Sequence, residues 1–225
     1  MLRLVTYHTP SHEAMCKEFV IDRAYWFADI TNHAAPQTCP SGAFKTAGWN
    51  ACMEDKLKCL LDVPTDNEPT VYVDADVVLL PGFHEWCRTV FKTLPSNGVM
   101  FGDDVIQWCA GVMLFRANSV TREWWKLLLE LSRIWCLPDQ DVIHQLRAQA
   151  SQTGGMLPIQ AFVAPHDVIA NWATVNMPAV PSPWAGEQFL VPPACLAWHA
   201  NWTVGIENKT AMLRRVVDGR EHKSG

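Results

Sequence analysis

No stretch of this 225-residue sequence reaches the about 18 consecutive apolar residues that a membrane-spanning helix needs, so no span is expected. The opening Met1-Leu2-Arg3-Leu4-Val5-Thr6-Tyr7 is too short an apolar run for a signal peptide and reads as a first strand. Without a secretory signal the expected location is the cytoplasm. The eight cysteines contain no C-x-x-C pair, and reduced, mostly buried thiols are the default. For the same reason the sequons Asn201-Trp202-Thr203 and Asn208-Lys209-Thr210 are discounted. No basic block appears, and with a formal net charge of −5 the chain is not expected to bind nucleic acid or anionic membranes in general. Arg214, Arg215, Arg220 and Lys223 are diluted by Asp218 and Glu221, so residues 214–223 read as a solvated tail. There is no internal repeat and no linker rich in glycine or serine, which leaves one domain over 1–225.

What is present is an ordinary globular composition, 49% hydrophobic and 18% charged, sufficient for a sizeable core. Residues 2–7 read as a strand, followed by a turn at Thr9-Pro10 and a helix capped by Ser11 and opened by Glu13 and Ala14. Thr38 to Gly42 reads as a loop, Lys45 to Leu61 as a helix broken by Pro64, and 71–76 as a strand. A short helix over 83–93 follows Pro81-Gly82. Val99 to Phe101 and Gly111 to Phe115 read as strands, Ser119 to Trp135 as an amphipathic helix and Gln140 to Gln149 as another. Pro178, Pro181, Pro183, Pro192 and Pro193 make 176–193 an irregular loop. A strand at 194–198 and a helix at 209–217 complete the chain, and strands alternating with helices give an α/β fold.

The most informative stretch is Val71-Tyr72-Val73-Asp74-Ala75-Asp76-Val77-Val78-Leu79-Leu80, an apolar run with two carboxylates in its middle. Ionised carboxylates are costly inside an apolar layer. The conflict disappears if the strand ends near Asp74 and Asp76 lies just past it, at the carboxyl edge where open α/β sheets collect ligands. Residues i and i+2 of an extended segment point the same way, so both acids can converge on one hard cation such as Mn²⁺ or Mg²⁺. The plainer alternative is a strand-end acid pair that caps the next element.

Three further stretches invite chemistry, each with a structural alternative. Cys109-Ala110-Gly111-Val112 sets small residues before a core strand, for close approach of a ligand or for a tight turn. Asp139 and Gln140 sit where a loop meets a helix, able to bond a polyhydroxylated ligand or simply to cap the helix. In Trp198-His199-Ala200-Asn201-Trp202-Thr203-Val204-Gly205-Ile206-Glu207-Asn208-Lys209, His199 can be a third cation ligand or a satisfied core histidine. Gly205 admits a close backbone approach, and Lys209 can pair with phosphate.

Taken in order, Asp74-Ala75-Asp76, Cys109-Ala110-Gly111-Val112, Asp139-Gln140 and His199…Gly205…Lys209 resemble the nucleotide-sugar glycosyltransferases of the GT-A fold. The nearest pattern is glycosyltransferase family eight and its relatives, including viral capsid glycosyltransferase domains of similar length, and the likeness spans 71–209. No single motif is specific; the order of the four is. The resemblance implies a Rossmann-like mixed central sheet flanked by helices, with 1–115 as a nucleotide-binding half and 116–225 as the half that meets the acceptor and completes the metal site. For a viral protein the cytoplasm would be the host's.

By that resemblance Asp74, Asp76 and His199 hold Mn²⁺ or Mg²⁺ against the diphosphate of a UDP-sugar, with help from Lys209 and Lys56. Thr6 and Tyr7 line the base and ribose pocket, Ala75, Ala110, Gly111 and Gly205 border the donor, and Asp139 and Gln140 face the sugar as the catalytic pair. The acceptor would be a carbohydrate or a glycosylated molecule, and the outcome retention. Trp172, Trp184 and Trp202 are candidates for stacking on sugar. Two features depart from the family: Cys109 stands where asparagine is usual, removing a sugar contact, and the His-to-Gly and Gly-to-Lys gaps are longer. Two rival readings are a phosphohydrolase of the haloacid dehalogenase type, whose later acidic motif Gly102-Asp103-Asp104 mimics, and a non-enzymatic carbohydrate- or nucleotide-binding module.

Overall fold

The computed structural model describes residues 1–39, 46–105, 107–175 and 183–221. The chain runs β1 (Arg3–His8), α1 (Glu13–Phe19), β2 (Asp29–Ala34), α2 (Trp49–Leu61), β3 (Pro69–Asp74), β4 (Val77–Leu79), α3 (Phe83–Val90), β5 (Gly98–Asp103), β6 (Trp108–Arg116), α4 (Ser119–Trp135), α5 (Asp139–Thr153), β7 (Gln160–Val163), β8 (Ile169–Asn171), α6 (Trp172–Val175), β9 (Ala197–His199) and α7 (Ile206–Glu221). Six strands form the central sheet in the order β2-β1-β3-β6-β5-β7, and β4-β9-β8 form a second, smaller one. Within the central sheet β2, β1 and β3 are parallel, β6 runs against both β3 and β5, and β7 is parallel to β5. This is the mixed α/β sheet flanked by helices that the sequence implies.

Strand alternation divides the core. Leu4, Val71 and Val73 face one apolar layer with Val20 and Phe83, whereas Val5 and Tyr72 face another with Leu57, Trp124 and Trp125. A third layer joins Val78 and Trp198 of the small sheet to Met212, Leu213 and Val216 of α7. Helix α4 begins with a reciprocal cap: the Asn118 side chain accepts from Val120 and Thr121 N–H, while Thr121 Oγ1 accepts from the Asn118 N–H.

Several sequence expectations shift. The run 71–80 is two strands in two sheets, separated by Ala75 and Asp76. Ser11 lies in a short 3-10 turn, and α1 starts after His12 with no side-chain cap. Residues 206–221 form a helix rather than ending in a solvated tail, because Met212, Leu213, Val216 and Val217 bury one face of it. Lys45, Lys223, and Pro178 and Pro181 of the expected loop lie outside the described residues. Among the described residues no helix is long and apolar enough to cross a membrane.

Candidate active site and metal centre

Strand register brings the site together. Strand β3 ends at Asp74, the chain turns through Ala75-Asp76, and β4 then pairs with β9 so that Val77 faces His199. The Ala200 N–H donates to the Asp76 carbonyl at 2.9 Å and fixes the end of β9 against the turn. His199 Nε2 therefore lies 3.1 Å from Asp76 Oδ1 and 3.8 Å from Asp74 Oδ2. One ligand atom from each of Asp74, Asp76 and His199 lies within 4.8 Å of the others. Oxygen and nitrogen ligands at about 2.1 Å around an octahedral ion sit about 3 Å from their neighbours, so the donor set and spacing fit Mn²⁺ or Mg²⁺.

The acids are balanced by lysines from two helices. Lys209 of α7 bonds Asp76 Oδ2. Lys56 of α2 lies 3.0 Å from Asp74 Oδ1, 3.0 Å from Asp139 Oδ2 and 3.0 Å from the Ala110 carbonyl, to which it donates. The Tyr72 hydroxyl donates to Asp74 at 2.6 Å. Burial opposes the charge on Lys56, but Asp139 and Asp74 outweigh it and hold its pKa above the ordinary lysine value. Burial likewise opposes ionisation of Asp76, yet Lys209 and His199 pull its pKa well below the usual carboxylate range. For His199, burial favours the neutral ring, and Asp76 and then Cys109 override it, so its pKa lies well above 6.5.

These groups open on a cleft of about 600 Å³. Asp104, buried just past β5, also lines it and accepts from Gln140 Nε2 at 3.0 Å, Asn201 Nδ2 at 2.9 Å and the Trp202 indole N–H. Burial raises the pKa of Asp104, with the Trp202, Gln140 and Asn201 hydrogen bonds acting against it. The sequence reading missed this residue as part of the site. Its signal is available: like Asp76, it stands just past the carboxyl end of an apolar strand.

Tyr7, Lys56, Asp74, Ala75, Asp76, Asp139, Gln140, His199, Trp202 and Lys209 line the cleft. Thr6, Ala110, Gly111 and Gly205 do not. Thr6 points to the other face of β1, where Oγ1 meets the Cys16 thiol at 3.6 Å. Ala110 contributes its backbone, the carbonyl to Lys56 and the N–H to Gln140 Oε1 at 3.4 Å. Gly111 lies under the His199 ring, where an added Cβ would come within 2.2 Å of Cε1. Gly205, at φ +86°, accepts the Lys209 N–H at the start of α7. Trp172 and Trp184 are buried in the third apolar layer, leaving Trp202 as the cleft-lining member of that trio.

A mixed sheet with one reversed strand, an acid pair leaving its central parallel strand, and a small second sheet carrying a histidine define the GT-A class, and the chain has the GT-A glycosyltransferase fold. Particular solved structures share it. A glycosyltransferase involved in glycosylation of the major capsid of PBCV-1 superposes with a TM-score of 0.59 at 14% identity, covering 96% of this chain and 99% of that one. The galactosyltransferase LgtC in complex with donor and acceptor sugar analogs gives 0.57 at 12%, covering 98% and 95%; a related LgtC structure carries an active-site glutamine-to-glutamate change. GlyE of Streptococcus pneumoniae TIGR4 gives 0.55 at 11%, covering 99% of this chain and 63% of that one. No protein-family model matches the sequence, and no curated protein sequence matches it.

Proposed function

We propose that the chain is a metal-dependent glycosyltransferase that moves a sugar from a UDP-sugar to a carbohydrate or glycosylated acceptor. The observation that carries this reading is the convergence of Asp74, Asp76 and His199 on the lining of a cleft in a GT-A fold. When bound there, Mn²⁺ or Mg²⁺ would neutralise charge developing on the leaving diphosphate. Lys209 is placed to add a second positive charge to that diphosphate, exchanging its contact with Asp76 for phosphate oxygen. Tyr7 lines the cleft and is assigned to the base and ribose of the donor.

Asp139 and Gln140 face the sugar. Lys56 holds Asp139 beside Asp74, so its role is to position the two carboxylates rather than to grip phosphate. Gln140 is oriented by its two contacts: Nε2 donates to Asp104, and Oε1 is thereby turned toward the Ala110 N–H. That LgtC has a glutamine among its active-site residues supports a direct role for Gln140. Between retention and inversion, the family resemblance of Asp139-Gln140 leans toward retention.

The phosphohydrolase reading has little left to stand on. Its acid pair should leave the first strand, whereas Asp74 and Asp76 follow the third, and Asp104 serves as a hydrogen-bond hub. Release of UDP from a panel of UDP-sugars, with Mn²⁺ and with chelator, tests the proposal. Metal-dependent turnover of a UDP-sugar is expected, and cleavage of p-nitrophenyl phosphate with no UDP-sugar turnover would overturn it.

A further inference from the structure

The imidazole of His199 is gripped on the edge that faces away from the two acids. Cys109, near the start of β6, places Sγ 3.2 Å from His199 Nδ1, opposite the Nε2 that faces Asp76. Gly111, two residues on and so on the same face of the strand, passes under the ring closely enough that no Cβ would fit. The sulfur has a second neighbour, Asn201 Nδ2 at 3.8 Å, and that amide is oriented by its bond to Asp104. An amide nitrogen only donates, so the sulfur acts as an acceptor on the Asn201 side. Both Cys109 and His199 are buried, and the chain from Asp104 through Asn201 and Cys109 to His199 supplies the polar surroundings of the ring.

We infer that Cys109 is a positioning residue for the metal centre: by accepting from Nδ1–H it selects the His199 tautomer whose Nε2 lone pair faces the cation. A ligating imidazole is neutral and keeps its one proton on the other nitrogen, usually held there by a carboxylate or carbonyl. In this chain a thiol sulfur does so. If the thiol donated to Nδ1 instead, the ring proton would sit on Nε2, and that nitrogen could serve Asp76 but no cation. The inference rests on the metal-dependent reading above. It gives a role to a residue that, from sequence, marks only the loss of a sugar contact.

Calorimetric titration of Mn²⁺ into the metal-free chain tests it, using the parent, Cys109→Ala, Cys109→Ser and His199→Ala. Cys109→Ala is expected to weaken Mn²⁺ binding by about 10–100-fold, the usual consequence of removing an outer partner of a metal ligand. Cys109→Ser, which keeps an acceptor, should recover most of that loss. Parent-like affinity in Cys109→Ala with weakened binding in His199→Ala overturns the positioning role and leaves the metal site standing. No Mn²⁺ binding by the parent, or parent-like binding by His199→Ala, overturns both. If Cys109→Ala does not fold, the ¹⁵N spectrum of His199 in the metal-free parent, at a pH high enough to make the ring neutral, decides: a proton on Nδ1 supports the role, and a proton on Nε2 overturns it.

Discussion

The layer beneath α4 and the end of the cleft are comparably buried but built on opposite principles. Under α4, Trp124, Trp125, Leu128 and Phe115 are almost wholly enclosed, and the indole N–H groups of both tryptophans have no hydrogen-bond partner among the described residues. Apolar area holds that layer together and outweighs the unpaired donors. At the cleft Lys56 is 2% exposed, Asp104 and Asp139 are 4%, and Asp76 and His199 are 7%. Burying that many charges costs more than their mutual attraction returns unless they are paired; here Lys56, Asp139, Asp76 and His199 are in ion pairs, and Asp104 is held by three hydrogen bonds from neutral donors. The α4 layer explains why the protein folds. The charged cleft is what the proposed cation and diphosphate site requires.

The contrast can be broken from either side. The largest expected effects are on stability. Trp124→Ala should cost about 3–5 kcal/mol in chemical denaturation while leaving Mn²⁺ affinity near that of the parent. Lys56→Met should cost a similar ~3–5 kcal/mol, since it leaves buried Asp139 beside half-buried Asp74 without their shared cation. A Lys56→Met protein as stable as the parent would mean that the cleft charges are better solvated than their burial indicates. Asp76→Asn should lower UDP-sugar turnover by at least about 100-fold, more than the loss of an outer partner of a metal ligand. Because Asp76 also pairs with Lys209 and His199, this variant should lose stability as well, which a strand-end acid free of packing would not.

Smaller effects sharpen the division of labour. Lys209→Ala should weaken UDP binding by about 1.5–3 kcal/mol, the usual worth of a charged hydrogen bond, and should not weaken Mn²⁺ binding, since it frees Asp76. The smallest effect concerns pH. His199 has a raised pKa in the metal-free protein, so its ion pair with Asp76 contributes fully below about 6.5 and is lost as pH rises through the raised value. Asp76, depressed below 3.8, loses its share only as pH falls through that lower value. Metal-free protein should therefore be less stable at pH 9 than at pH 6 on this account. Stabilisation by Mn²⁺, which must displace the His199 proton, should grow over the same interval. Melting curves of the parent and of His199→Gln across that range check both, and equal slopes in the two proteins would remove His199 as their source.

Much of this was legible in the sequence because the site is announced where a strand pattern is violated. Two carboxylates in an apolar run place the end of β3, and four short motifs in order indicate the GT-A arrangement. Strands β2, β4, β7 and β8 were not legible. In β2, Asp29–Ala34, burial alternates between partial and none, so no apolar run marks it. Strand β4 is three residues long and follows β3 after only Ala75 and Asp76, and hydrophobic periodicity cannot say that one run changes sheets. Strands β7 and β8 are four and three residues long. Pairing of β4 with β9, across more than a hundred residues, decides where His199 lies, and local pattern holds no record of it. Lys56 shows the same limit: helix position is readable, but its capture by Asp74 and Asp139 is a tertiary fact.

On the proposed function, Asp74, Asp76 and His199 form one site shared by a divalent cation and a nucleoside diphosphate. Calorimetry of UDP binding with and without saturating Mn²⁺ tests it most directly. Weak binding without metal and clearly tighter binding with it is the predicted result; equal affinity in the two conditions would contradict the claim.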